Sequence, residues 1–216
     1  MLTNREIFDQ IAQSWYGYRH HTRFRAELEV LAGRWRGGTL LNAGCGHGAD
    51  FLPFKHGFDL YGCDFSVQML LQAQRYAVKY DFSVDLIQAD LSALPYGDNT
   101  FDFAISIAAY HHIRGRENAL GALVQLRRVL KPGAEAYITV WNKLQPRFWL
   151  RRRDAYLPWK TKEHIYLRYY YLYDYAQISR LVRRAGFEIM YAIPESSYKF
   201  PLKYFSRNIC LLARAL

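Results

Sequence analysis

The chain has 216 residues, 51% of them hydrophobic, and a formal net charge of +10. That length suits one α/β domain with a sizeable core, and the apolar content excludes a disordered tail protein. No run of about 18 apolar residues is present, so no membrane span is expected. Residues 1–9 are polar and mixed in charge, unlike a signal peptide, and this points to the cytoplasm. Cys45, Cys63 and Cys210 lie far apart with no paired spacing, so reduced thiols are expected and no metal site.

The first 36 residues read as two helices. Ile7, Phe8, Ile11 and Trp15 share one face, and Phe24, Leu28, Leu31 and Trp35 repeat the period. Between them lies the polar aromatic stretch 16–21, and Gly37-Gly38 ends the region. Strands then alternate with helices. Residues 39–43 form a short strand before a glycine turn, and residues 59–63 form a second. Ser66 can cap the next helix, which carries Met69, Leu70 and Ala73. Strands follow at 83–88 and at 101–107, the latter apolar enough to be buried on both faces. Leu120, Leu123, Val124 and Leu130 mark a helix that Lys131-Pro132-Gly133 ends, and 135–140 is a fifth strand. Residues 141–173 break the rhythm with no predicted regular element. Asp174 then caps a helix with Ile178, Leu181, Val182 and Ala185 facing inward. Gly186 ends it, and 187–192 and 208–213 are two last strands. This alternation predicts a doubly wound, Rossmann-like, mostly parallel seven-stranded sheet with N-terminal helices. The expected division of one domain is 1–38 for those helices, 39–140 for the cofactor core, 141–173 for a substrate-binding insertion and 174–216 for the closing helix and strands.

Charge is unevenly placed. Residues 1–140 hold 14 Lys/Arg and 14 Asp/Glu, whereas 141–216 hold 15 and 5, so the excess lies in the last third. The same third carries aromatic clusters such as Tyr169, Tyr170 and Tyr171. Basic residues interleaved with aromatics suit phosphates and stacked bases; a solvated basic surface is the competing reading. Arg151, Arg152, Arg153, Lys160 and Lys162 are the candidate phosphate contacts.

The turn Gly44-Cys45-Gly46-His47-Gly48 follows the first strand and is expected to open a helix, where glycines let a ligand approach the backbone. Gly44, Gly46 and Ala49 also fit a dinucleotide fingerprint, with Asp64 twenty residues after Gly44. Asp64, ending the second strand, can accept both hydroxyls of a ribose. Asp90, after the third, is placed to meet an adenine amino group. A nicotinamide-dependent dehydrogenase would need a substrate domain for which the chain is too short, which favours S-adenosylmethionine. The expected cofactor contacts are Gly44, Cys45, Gly46, Gly48, Asp64, Phe65, Asp90, Leu91 and Ile107.

The series Leu41-Asn42-Ala43-Gly44-Cys45-Gly46, Gly62-Cys63-Asp64, Ala89-Asp90-Leu91 with Leu94-Pro95, Phe101-Asp102 and Leu130-Lys131-Pro132-Gly133 resembles the class I methyltransferases. Further segments resemble the tRNA wobble-uridine carboxymethyl methyltransferases. These are Phe8-Asp9-Gln10-Ile11-Ala12 with Arg19, Ser106-Ile107-Ala108 leading to His111-His112, and Tyr137-Ile138-Thr139-Val140-Trp141. Asp154-Ala155-Tyr156-Leu157-Pro158-Trp159 and Arg168-Tyr169-Tyr170 with Tyr173 complete them. Asn42 departs from the acidic residue usual near the methionine amino group, His47 from a common Asn and Ala134 from a Gly. The resemblance implies a tRNA substrate, methyl esterification of the carboxylate of 5-carboxymethyluridine at the anticodon wobble position, and a small zinc-binding activator protein as partner. A carboxylate with a pKa of about 4 is already a nucleophile at neutral pH, so no strong base is needed. Arg19, then His111 and Arg168, are the candidates for holding the acceptor. A surface arginine at 19, a satisfied histidine at 112 and packed tyrosines near 170 are the competing readings. A small-molecule methyltransferase, and a binding module with a degenerate site, are the alternatives for the whole chain.

Overall fold

The computed structural model describes residues 2–216; Met1, the first residue of the polar start, lies outside them. Helix α1, Asn4–Tyr18, begins with a capping box in which Thr3 and Glu6 exchange hydrogen bonds. Its buried stripe is Ile7, Phe8, Ile11 and Ala12. Helix α2, Arg25–Trp35, buries Leu28, Leu31 and Trp35. It is tied to the sheet by Glu135, which accepts from Arg34 Nε at 2.9 Å, Arg34 Nη2 at 2.6 Å and Trp35 Nε1 at 2.8 Å.

The strands are β1 (Gly38–Ala43), β2 (Phe58–Asp64), β3 (Asp85–Gln88), β4 (Phe101–Ile107), β5 (Leu130–Trp141), β6 (Asp154–Lys160), β7 (Ile165–Tyr171), β8 (Phe187–Pro194) and β9 (Asn208–Ala215). Seven of them form one sheet in the order β3-β2-β1-β4-β5-β9-β8. All its pairings are parallel except those of β9 with β5 and β8. Helices α4 (Arg116–Val129) and α5 (Tyr175–Arg184) cover one face, where Leu41, Ala104 and Ile138 meet Leu123 and Ile178. On the other face Leu40, Ile105 and Tyr137 pack under α2, and Leu70 of α3 (Val67–Tyr80) joins them. Alternate residues of each strand therefore feed two cores, as a doubly wound sheet requires. The expected caps are present: Ser66 Oγ accepts from Met69 N, and Asp174 Oδ1 accepts from Gln177 N.

Three expectations need correction. The glycine turn opens a six-residue 3-10 segment, Ala49–Phe54, not an α-helix; Pro53 lies inside it and cannot donate to a helical ladder. Leu130 belongs to β5, and Val124 faces solvent. Lys131-Pro132-Gly133 is a bulge within that strand: Phe101 pairs with Leu130 but Phe103 pairs with Glu135. Lys131 Nζ reaches Asp102 Oδ1 at 2.6 Å across it, and Asp102 Oδ2 accepts from Thr39 N and Oγ1. Finally, the stretch 141–173 contains the antiparallel hairpin β6–β7, in register from Asp154 with Tyr171 to Lys160 with Ile165.

The hairpin and α1 close over one end of the sheet. Asn4 behaves as a strand partner for β7, donating from Nδ2 to Tyr169 O at 3.0 Å and accepting from Tyr169 N at 2.8 Å. Asp9 Oδ1 accepts from Ser66 Oγ at 2.6 Å and Gln68 N at 3.2 Å, docking α1 on the start of α3.

Candidate active site

The sheet order reverses between β1 and β4, so the crossovers diverge there and leave a crevice at the strands' carboxyl ends. A cavity of about 920 Å³ opens at that point, roofed by Phe8, Trp15 and Arg19 of the α1 region. That volume is at the upper end for a small-molecule site, leaving room for a cofactor and an acceptor group together.

The floor is built by strand ends. Gly44 follows β1 with φ +78°, and a Cβ on it would lie 2.5 Å from that of Ala109. Gly46 has φ +53°, lines the cavity, and has open space where a Cβ would stand, so any side chain there would fill the cradle. Its N–H donates to Asp64 Oδ2 at 2.8 Å, and Ser66 N donates to Asp64 Oδ1 at 2.9 Å. Burial still lifts the Asp64 carboxyl to about 6, against the pull of those two bonds. Asp50, half-buried beside Thr22, is likewise raised to about 6 by desolvation. Asp90 caps its own turn, accepting from Ser92 N at 2.8 Å and Ser92 Oγ at 2.6 Å. Ala108, after β4, is held at φ +57° by its N–H donating to Thr139. This strained position lines the cavity and had no signal in the sequence.

Of the expected cofactor residues, Gly44, Cys45, Gly46, Asp64, Phe65, Asp90, Leu91 and Ile107 all line the cavity. Gly48 does not: its Cα packs against α3, where a Cβ would meet the Ala73 backbone at 3.2 Å. Asn42 is fully buried, and neither end of its amide has a partner.

Of the expected acceptor residues, Arg19 and His111 line the cavity and Arg168 does not. Arg19 follows α1, its guanidinium 5.5 Å from the Trp15 ring centre and 5.3 Å from that of Tyr18, with Nε buried and unpaired. His111 is buried, and its Nδ1 accepts from Trp141 N at 3.2 Å. Its proton therefore sits on Nε2. Burial holds it neutral, well below the usual histidine range. His112 donates from Nδ1 to Tyr169 O at 2.9 Å and is pushed down to about 3 by burial. Arg168 is buried on β7 behind the wall, 4.9 Å from the Trp159 ring centre and 5.3 Å from that of Tyr170. Tyr170, which does line the cavity, stacks on His111 at 5.0 Å and on Trp141 at 4.5 Å.

Sequence reasoning missed Arg23, Arg114, Arg147 and Arg207, which the fold brings to the same cavity. Periodicity carries no sign of them, because they lie in connections. Among the expected phosphate contacts Arg153 is already engaged, with Nη2 2.5 Å from Asp174 Oδ2 and Nη1 2.9 Å from Gln177 Oε1. Arg151, Arg152, Lys160 and Lys162 are exposed. The three cysteines are free and buried, and among the described residues no metal-binding cluster occurs and no helix is long and apolar enough to cross a membrane.

Residues 41–138 match the family model described as a methyltransferase domain. A protein of Encephalitozoon cuniculi named as a methyltransferase is 29% identical over 162 residues, 72% of each chain. The tRNA (carboxymethyluridine(34)-5-O)-methyltransferase of Arabidopsis thaliana is 35% identical over 137 residues, 62% of this chain but 31% of that one. Among solved structures, the CcbJ methyltransferase from Streptomyces caelestis superposes with a TM-score of 0.77 at 16% identity, covering 99% of this chain and 98% of that one. A complex of the Haloferax volcanii Trm112 methyltransferase activator with a methyltransferase gives a TM-score of 0.72 at 20% identity, covering 99% and 97%. Residues 41–138 thus match a methyltransferase domain, the solved structures share its fold, and S-adenosylmethionine is the cofactor that such a domain takes. The open cradle at Gly46 and the buried carboxylate at Asp64 fit such a group.

Proposed function

We propose that this protein transfers a methyl group from S-adenosylmethionine to the carboxylate of 5-carboxymethyluridine at the wobble position of a tRNA anticodon, in the cytoplasm and with a small zinc-binding activator as partner. The observation that carries the reading is the charge pattern of the cavity. Asp64 and Asp90 stand on the β2–β3 side, where the cofactor would lie. Arg19, Arg23, Arg147 and Arg207 also line the cavity, and among the described residues none of them is paired with a carboxylate. Arg19 is half-buried with its Nε unpaired and the other three are exposed, so together they give the cavity a positive lining that suits an anionic acceptor. The likeness to the Arabidopsis relative supports the same substrate class.

When bound, the cofactor supplies an electrophilic methyl on a sulfonium. Asp64 would hold its ribose, and the cradle at Gly44 and Gly46 would hold its methionine end. Arg19, braced by Trp15 and Tyr18, would orient the acceptor carboxylate in line with that methyl. His111 would offer its Nε2–H to the same carboxylate as a neutral donor, since its Nδ1 is occupied. No side chain needs to remove a proton, because the acceptor is already ionised. Arg19→Ala should lower the transfer rate about 100-fold or more with little change in cofactor affinity. Arg19→Lys should recover only part of it, since an ammonium lacks the guanidinium fork. Unchanged transfer by a folded Arg19→Ala protein would remove this residue from the mechanism.

A further inference from the structure

Two segments outside the cofactor site are stitched into one rigid ledge beside the cavity. The first follows β5 and the second precedes β9. Asn142, fully buried, donates from Nδ2 to Tyr204 O at 2.7 Å and to Ser206 O at 2.9 Å. Gln145 Nε2 donates to Asn142 O at 2.9 Å and to Arg207 O at 3.2 Å. These amides join residues about 60 positions apart. The cavity-wall cations Arg147 and Arg207 belong to the same unit, so ledge and cavity are continuous.

The outer side of the ledge is aromatic and exposed. Trp149 is 57% exposed, Phe200 57% and Tyr204 52%. Large rings so open to water are uncommon unless something covers them. They are nevertheless held in place. Trp149 Nε1 donates to Leu144 O at 2.6 Å and the ring lies 5.7 Å from Phe205, while Tyr204 lies 5.8 Å from Tyr175. Lys203 Nζ sits 5.7 Å from the Tyr204 ring centre. Residues 143–153 and 196–207 contain no Asp or Glu of their own, yet they carry lysine or arginine at 143, 147, 151, 152, 153, 199, 203 and 207, of which Arg153 is paired with Asp174. The core of a protein interface is depleted in charged residues, lysine among them. Fixed rings set among cations, nearly all of them without a carboxylate partner, match the alternation of base and phosphate in an unpaired strand.

We infer that this ledge is a stacking platform for the unpaired RNA nucleotides next to the one whose base enters the cavity, with Trp149 and Tyr204 as stacking rings and Lys199 and Lys203 as phosphate contacts. The inference rests on the RNA reading of the preceding section and extends it to residues that do not touch the reacting atoms. It places the anticodon loop across the β5–β9 end of the sheet and leads one flank of it past Arg147 and Arg207.

The test uses the full chain, with tRNA transcript binding followed by fluorescence anisotropy at several salt concentrations. Trp149→Ala with Tyr204→Ala should weaken tRNA binding by about tenfold per ring. Trp149→Phe with Tyr204→Phe, which keeps the rings, should restore most of it. Lys199→Glu with Lys203→Glu should weaken binding and flatten the salt dependence, and it probes the same surface if the alanine variant does not fold. Cofactor affinity and melting temperature should stay at the wild-type values. If wild-type protein binds tRNA and both the alanine and glutamate variants bind it equally well, the platform is refuted while the RNA reading stands. Wild-type protein that neither binds nor methylates tRNA overturns both. Anionic vesicles or purified activator protein that bind wild type but not the ring variants, with tRNA binding intact, would assign the ledge to that partner and refute the inference.

Discussion

Asp64→Asn separates the cofactor role of this residue from its structural role. The carboxylate accepts from Gly46 N at 2.8 Å and from Ser66 N at 2.9 Å, leaving further lone pairs toward the cavity. A ribose diol would use those as two charge-assisted hydrogen bonds. An amide keeps the shape but loses the charge and one acceptor, so cofactor binding should weaken by about 1.5–3 kcal/mol. That is roughly 10- to 150-fold in affinity. The apo protein should respond differently. Burial raises the folded-state pKa from the ordinary 3.8 to about 6. The folded state therefore holds this proton more tightly than the unfolded chain does. The ionised group carries about 3 kcal/mol of unfavourable free energy at neutral pH, acquired as pH rises from 3.8 to about 6. Asparagine lacks that term but turns an NH₂ toward one backbone N–H, which costs about 1–3 kcal/mol. The two nearly cancel, so the variant should fold normally at pH 7.5. It should lose the Asp64 part of the stability decline between pH 4 and 6, while Asp50, also near 6, keeps its own part. Titration calorimetry with S-adenosylmethionine at pH 7.5, alongside thermal melts across this range, measures both. Unchanged affinity in a folded Asp64→Asn protein would refute the ribose assignment.

Gly44→Ala, with φ +78° and a Cβ 2.5 Å from that of Ala109, should destabilise the fold by about 2 kcal/mol, a fall in Tm of roughly 4–8 °C, and should also weaken cofactor binding. Thermal melting and calorimetry check both. Asn42→Leu removes a fully buried amide with neither end partnered, and should raise the apo Tm by roughly 2–4 °C, about 1 kcal/mol; an equal or lower Tm would refute the claim that the amide is unpaired.

Much of the fold was legible because strands buried on both faces and capped helices leave local marks. The apolar run at 101–107 and the caps Ser66 and Asp174 needed no tertiary information. The hairpin β6–β7 was not legible, because Trp, Tyr and Arg in Asp154–Lys160 and Ile165–Tyr171 alternate against α1 and the cavity wall, and not against a uniform core. The bulge at Lys131–Gly133 read as a helix stop, since the Asp102–Lys131 ion pair that anchors it is visible only in three dimensions. In the site, the order of motifs picked out residues on strand ends that line the cavity. It missed Arg147 and Arg207, because a buried asparagine and glutamine bring them together across sixty positions. Gly48 and Arg168 were expected at the ligand but do not line the cavity: Gly48 packs against Ala73, and Arg168 lies among Trp15, Trp159 and Tyr170.

In the proposed reaction the methyl acceptor is a carboxylate on tRNA. The most direct measurement incubates the protein, with and without the activator, with labelled S-adenosylmethionine and tRNA bearing 5-carboxymethyluridine, and then exposes the product to mild alkali. An ester should release its label as methanol, and tRNA lacking the carboxymethyl group should take up none. Label that stays on the RNA through alkali, or equal labelling of both tRNAs, would contradict the account.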